Sequence, residues 1–216
     1  MIEPTRVFAL RHGQTAWNVD QRIQGQLDVP LDATGHWQAQ QLARALGEEE
    51  LAALYSSDLQ RTRDTALPLA CSTTLAVATE VALRERSFGS FEGLTYAEVE
   101  ALHPQEARRW RQRDPGFGPG GGETLLDFNA RSMAVLGRIA AQHPGQAIAV
   151  FTHGGVLDCL YRAAVGLALD APRTWQLGNA SVNRLLFAGN GFVVVGRSDR
   201  NHLEVPGALG TPAAPT

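Results

Sequence analysis

Short apolar runs that alternate with stretches of helical periodicity predict an α/β protein: a three-layer sandwich with a mostly parallel central sheet. Three features carry that expectation. Two apolar runs stop abruptly at a histidine followed by glycine, His12-Gly13 and His153-Gly154. Amphipathic stretches come after the strand-like runs, as crossover connections require. Near the end, two further runs joined by Gly189, Asn190 and Gly191 fit a hairpin that adds an antiparallel edge.

The first strand is the run that begins at Val7 and ends at Arg11, His12 and Gly13. From Gln14 to Leu31 no periodicity is sustained, so this stretch reads as a long loop of the kind that carries function. Asp32 caps a helix with Ala39, Leu42, Ala43 and Leu46 on one face, and Gly47 ends it. Ala52 to Ser56 reads as the second strand, followed by a helix capped by Asp58 with Arg61 in its first turn. A strand-like stretch from Leu75 to Leu83 leads into Arg84, Glu85 and the loop SFGSFEG. Thr95–Leu102 and Gln105–Arg113 read as helices separated by Pro104. Residues 114–123 are too rich in glycine and proline for either regular structure and are expected to form a flexible rim or lid. Thr124 and Asp127 form a capping-box pair for a helix that runs to about Gln142. Ala147–Phe151 is the clearest strand and ends in Thr152, His153, Gly154 and Gly155, with a helix from about Val156 to Val165 after it. Val182–Ala188 and Phe192–Arg197 form the hairpin.

A chain of 216 residues accommodates one domain with a large core, placed at 1–206. Residues 207–216, rich in Pro, Ala and Thr, are expected to be a disordered tail. A net charge of -3 gives no reason to expect nucleic-acid binding. No window is apolar enough for a membrane span and the opening residues show no signal peptide, so the cytoplasm is the expected compartment. Every basic residue is arginine, which excludes a Walker-type phosphate loop and a lysine Schiff base. Cys71 and Cys159 are expected to be buried thiols, and with Val77 and Val165 six positions after them neither fits a cysteine phosphatase. His36, His103, His143 and His202 show no metal-ligand spacing.

Ligands in open α/β sheets sit outside the carboxyl ends of strands, so His12 and His153 can share one crevice with Arg11 and Arg61, suited to a dianion. The pattern resembles the histidine phosphatase superfamily, which includes the cofactor-dependent phosphoglycerate mutases and many phosphatases. The resemblance covers nearly the whole chain. Arg11, His12, Gly13, Thr15 and Asn18 match its opening signature, SSDLQRTRDTA places its second arginine at Arg61, LRERSFGSFEG its acid at Glu85, and FTHGG its second histidine at His153. It implies a phosphoglycerate mutase-like fold and a phosphomonoester hydrolase with His12 as nucleophile. Arg11, Arg61 and His153 would hold the phosphoryl oxygens, and Glu85 would act as acid and then base. Gly13, Thr15, Asn18, Gln24, Gly25 and Gly154 are the expected substrate-binding residues. No metal or other cofactor is implied, and the partner is a small phosphorylated metabolite.

Mutases of the family carry a lysine where this chain has Tyr96, and they have a longer segment between the acid and the second histidine. Both differences favour the phosphatase branch. The cluster Arg108, Arg109, Arg111 and Arg113 reads as a basic helix face, or as a site for a second anionic group in a mutase. The alternatives are therefore a phosphoglycerate mutase and a catalytically silent module that binds phosphorylated ligands.

Overall fold

The computed structural model describes residues 3–189 and 191–204. The expected tail and the last residues of the proposed domain lie outside the described residues. Six strands form one sheet: β1 (Thr5–Arg11), β2 (Leu51–Ser56), β3 (Val77–Thr79), β4 (Ala147–Thr152), β5 (Val182–Phe187) and β6 (Phe192–Asp199), in the spatial order β3-β2-β4-β1-β5-β6. The first four of these run parallel, and β5 and β6 complete the edge as an antiparallel pair.

The alternation of side chains along β1 shows how the layers form. Val7 and Ala9 point into a core built with Phe128, Val135 and Ile139 of α6 (Leu125–Ala141) and Val156 and Leu160 of α7 (Gly154–Val165). Phe8 and Leu10 point the other way, onto Leu42 and Leu46 of α2 (Ala33–Leu46) and Leu69 of α3 (Gln60–Thr73). This is the expected three-layer arrangement. Strand β4 is buried along its whole length, as a central parallel strand must be.

Several local expectations change. The long loop after β1 contains a short helix, α1 (Ala16–Val19), closed by a reciprocal capping box between Thr15 and Asn18. Helix α3 is capped at Leu59 without a side-chain bond. Asp58, the expected cap, instead pairs with Arg84, and Asp28 from the preceding loop accepts the Gln60 N–H at 2.6 Å. The strand expected over Leu75–Leu83 shortens to β3 followed by a 3₁₀ turn at Val81–Leu83. Helices α4 (Tyr96–Leu102) and α5 (Pro104–Arg111) abut, with Pro104 in the first turn of the second, where its missing N–H costs nothing. Cys71 is exposed, contrary to expectation, while Cys159 is buried.

Residues 114–123 are not a loose lid. They pack edge to edge against 87–91: a Cβ on Gly122 would overlap the Ser87 carbonyl, one on Gly120 would come within 2.7 Å of the Phe88 carbonyl, and Glu123 N–H donates to Ser87 O at 3.0 Å. The glycines serve close backbone approach. A small apolar cluster of Ile23, Phe91, Val99 and Ala107 holds this excursion over one end of the sheet.

Candidate active site

Strands β1 and β4 are parallel neighbours with Arg11 opposite Thr152, so the residues just beyond them emerge side by side. The His12 N–H donates to the Thr152 carbonyl at 3.0 Å, and the imidazoles of His12 and His153 lie with ring centroids 5.3 Å apart. Both rings are essentially buried, at 3% and 0% exposure. His12 Nδ1 is 2.7 Å from the Gly13 carbonyl, which accepts its proton and leaves Nε2 with the free lone pair. His153 Nε2 is 3.0 Å from the Ser57 hydroxyl, and its Nδ1 has no partner.

Two groups supply positive charge. Arg11, at the end of β1, donates to the Leu177 carbonyl. Arg61 is wholly buried and donates to the carbonyls of Leu27 at 2.8 Å and Gly25 at 2.7 Å, with Nε unpartnered. Burial brings both guanidinium groups down to about 10, which leaves them cationic at neutral pH. Burial first, and then Arg61 and Arg11, hold His12 well below its ordinary range, and burial, Arg61 and His12 do the same for His153. Both histidines are neutral bases at neutral pH.

Glu85 faces this group from the other side. Its neighbours in sequence do not neutralise it: Arg84 pairs with Asp58, and the Arg86 guanidinium donates to the carbonyls of Glu123 and Phe117. The carboxylate instead accepts the N–H of Gly155 at 2.9 Å and that of Arg86 at 2.8 Å. Arg131 braces the segment from behind, donating to the carbonyls of Ala82, Arg84 and Glu85.

Arg11, His12, Arg61 and Glu85 line one cleft of about 680 Å³ together with Asn18, Gln24, Gly25 and Gly154. Gly13 and Thr15 are not on its wall. Gly13 gives its N–H to Thr65 Oγ1 at 2.9 Å and lies against Gly35, while Thr15 caps α1, so their expected direct contact with substrate becomes support of the wall. His153 sits behind His12 and touches the site through it. Four contributors escape the sequence reading: Ser57, Thr65, Gly155, and Asn179, whose amide donates to His12 O at 3.1 Å, Gly13 O at 3.2 Å and Asn18 Oδ1 at 3.0 Å. Gly155 lies in FTHGG, and Ser57 and Thr65 lie in SSDLQRTRDTA, but their contacts depend on chain crossings; Asn179 lies in no motif. Three of the clustered arginines are paired with carboxylates, Arg109 with Asp114, Arg111 with Glu100 and Arg113 with Asp158, and Arg111 and Arg113 also line the outer part of the cleft.

Two neutral imidazoles among buried arginines at parallel strand ends, with a carboxylate opposite, define an α/β enzyme site for phosphoryl groups. Residues 7–200 match the family model of the histidine phosphatase superfamily (branch 1), and the chain belongs to that superfamily as a phosphomonoesterase of histidine phosphatase type. It is 38% identical over 211 residues to the metal-independent phosphoserine phosphatase of Arabidopsis thaliana, covering 96% of this chain and 87% of the relative. It is 36% identical over 189 residues to glucosyl-3-phosphoglycerate phosphatase of Mycobacterium tuberculosis, covering 83% and 84%. The solved structure of Bacillus stearothermophilus YhfR superposes with a TM-score of 0.86 at 31% identity, over 93% of this chain and 100% of that one. No helix among the described residues is long and apolar enough to cross a membrane.

Proposed function

We propose that the protein hydrolyses phosphomonoesters of small metabolites by two successive transfers through a phosphohistidine at His12, with water as the final acceptor. The hydrogen bond from His12 Nδ1 to Gly13 carries this reading, because it fixes the tautomer in which Nε2 can attack. In the first step Nε2 forms a bond to phosphorus as the ester oxygen leaves, taking its proton from Glu85. In the second, Glu85 accepts a proton from water, the water oxygen bonds to phosphorus, and the phosphorus–nitrogen bond breaks to release phosphate. Arg11 and Arg61 receive the charge spread over the non-bridging oxygens, with the neutral His153 ring packed against His12. These groups provide the needed positive field without a metal. The two phosphatase relatives support water as acceptor, as does Tyr96 in the place of the lysine of the mutases that the sequence resembles.

Rapid mixing with p-nitrophenyl [³²P]phosphate and an alkaline quench tests the intermediate. Label is expected on the wild-type chain, stable to alkali and lost in acid. His12→Asn should take up none and turn over slower by roughly 10⁴ or more. Glu85→Gln should slow turnover by about 10² to 10⁴. Because p-nitrophenolate leaves with little need of protonation, the labelled enzyme should accumulate in that variant. Sustained turnover with no label at any quench time overturns the covalent route, and bisphosphoglycerate-dependent interconversion of phosphoglycerates would return the mutase.

A further inference from the structure

Beyond the phosphoryl pocket the cleft continues along α7, and one group there has a free valence. Asp158 follows Gly154 by four residues, so both lie on the face of α7 turned to the cleft, and both line it. The Asp158 side chain is buried, with the residue only 4% exposed. One carboxylate oxygen, Oδ2, accepts from Arg113 Nη2 at 2.7 Å and Arg162 Nε at 2.9 Å. The other, Oδ1, has no partner. A buried acceptor left unpaired is costly, and a donor from the substrate relieves it.

Its position says which part of the substrate that is. Gly155, three residues before Asp158, gives its N–H to Glu85, the group that delivers the proton to the departing oxygen. Asp158 therefore stands on the leaving-group side. Tyr96 and Trp110 line the same cleft, stacked with centroids 4.8 Å apart and planes within 16°, and offer an aromatic surface to a C–H face. Arg162, held under Trp175, is not on the wall and leaves its Nη2 unpartnered as well, whereas Asp158 itself lines the cleft. The two arginines keep Asp158 from swinging away, since Arg113 is itself tied to the Leu169 carbonyl and Arg162 to that of Ala168.

We propose that Asp158 Oδ1 accepts a hydrogen bond from a hydroxyl on the leaving group, which makes hydroxylated phosphomonoesters, of polyol or sugar type, the preferred substrate class. This rests on the hydrolytic reading above. A matched pair, glycerol 3-phosphate and propyl phosphate, has the same carbon chain and differs in its hydroxyl groups. The wild type should favour the first in kcat/KM by about tenfold to hundredfold, expressed in KM, as one hydrogen bond to a charged acceptor allows. Asp158→Ala, which removes the acceptor and puts no hydrogen-bonding group in its place, should bring that ratio close to one. A ratio unchanged in the variant, whatever its overall activity, would mean that Asp158 only braces Arg113 and Arg162 and would overturn the proposal. A second measurement keeps residue 158 native and needs no turnover: calorimetric titration of His12→Asn with 3-hydroxypropylphosphonate and propylphosphonate. At least tenfold tighter binding of the hydroxylated phosphonate is expected, and equal affinities overturn the assignment. Failure of the wild type to turn over either ester would sink the hydrolytic reading separately, while the calorimetric comparison still decides Asp158.

Discussion

Arg61 has no exposed surface, and its two terminal nitrogens donate to carbonyls of the loop that carries Gln24 and Gly25 to the cleft. It thus has two tasks, to place charge beside the phosphoryl group and to hold that loop. Arg61→Lys keeps the charge but cannot reach two carbonyls in the same plane. Loss of one such donor at a transition state costs roughly 10² to 10³ in rate. An orphaned buried carbonyl costs about 1 to 3 kcal/mol. The substitution should therefore lower kcat and the urea midpoint together. A fall in kcat with an unchanged midpoint would show that the loop is held by other contacts. Standing alone in the first turn of a helix, Arg61 reads more readily as part of a solvated face. Only the site's other three matches singled it out, and its double role needed the loop's path in space.

At the scale of the element, the connection from β4 into α7 holds the Glu85 carboxylate in place. Its first helical turn presents the Gly155 N–H to Glu85, and a Cβ at Gly155 would overlap the Glu85 carboxylate. Gly155→Ala should displace Glu85 and reduce kcat by about 10² or more through loss of acid–base catalysis. The Cβ would also come within 3.0 Å of the buried Phe128 ring, which opposes the gain in helix propensity, so the same change should also lower the urea midpoint modestly. Gly121, in the left-handed region with nothing near its side, is the contrasting case: alanine there meets only backbone strain and should leave catalysis alone. Steady-state kinetics and urea melts of both variants separate the two effects. The glycine-rich segment at 114–123 shows the limit of reading elements locally. Glycine suits a hinge and a close backbone contact equally well, and the choice here was made by residues 87–91 lying against it.

Across the molecule, the adjacency of β1 and β4 places two neutral histidines in the interior, and that has a consequence for stability. Both fold with their proton affinity well below the ordinary value of 6.5, chiefly through burial, and His202 is lowered in the same direction by partial burial. The unfolded chain takes up protons at these rings below about pH 6.5, and the folded chain does not. Their contribution is fully present above that pH and is lost as pH falls, on the order of 1 kcal/mol per pH unit for each fully buried ring. Urea melts between pH 7.5 and 5.5 should show the decline, and a flat midpoint over that window would contradict neutral burial. Asp58 and Asp199, both lowered in proton affinity, lose their contribution only at more acid pH, below the ordinary carboxylate range, so they do not obscure it.

The sequence by itself determined the alternation of strands and helices, the chemistry at the two strand ends and the four charged or nucleophilic groups, because periodicity and short motifs are local properties. It also pointed to an acceptor other than a second phosphoglycerate, through Tyr96 and the short later segment. Tertiary structure decided what depends on chain segments far apart meeting: the tautomer and burial of His12, the freedom of Glu85 from its flanking arginines, and the parts played by Ser57, Thr65 and Asn179. It also showed the unpaired oxygen of Asp158, since whether a polar atom has a partner is a property of the packed chain, not of the residue.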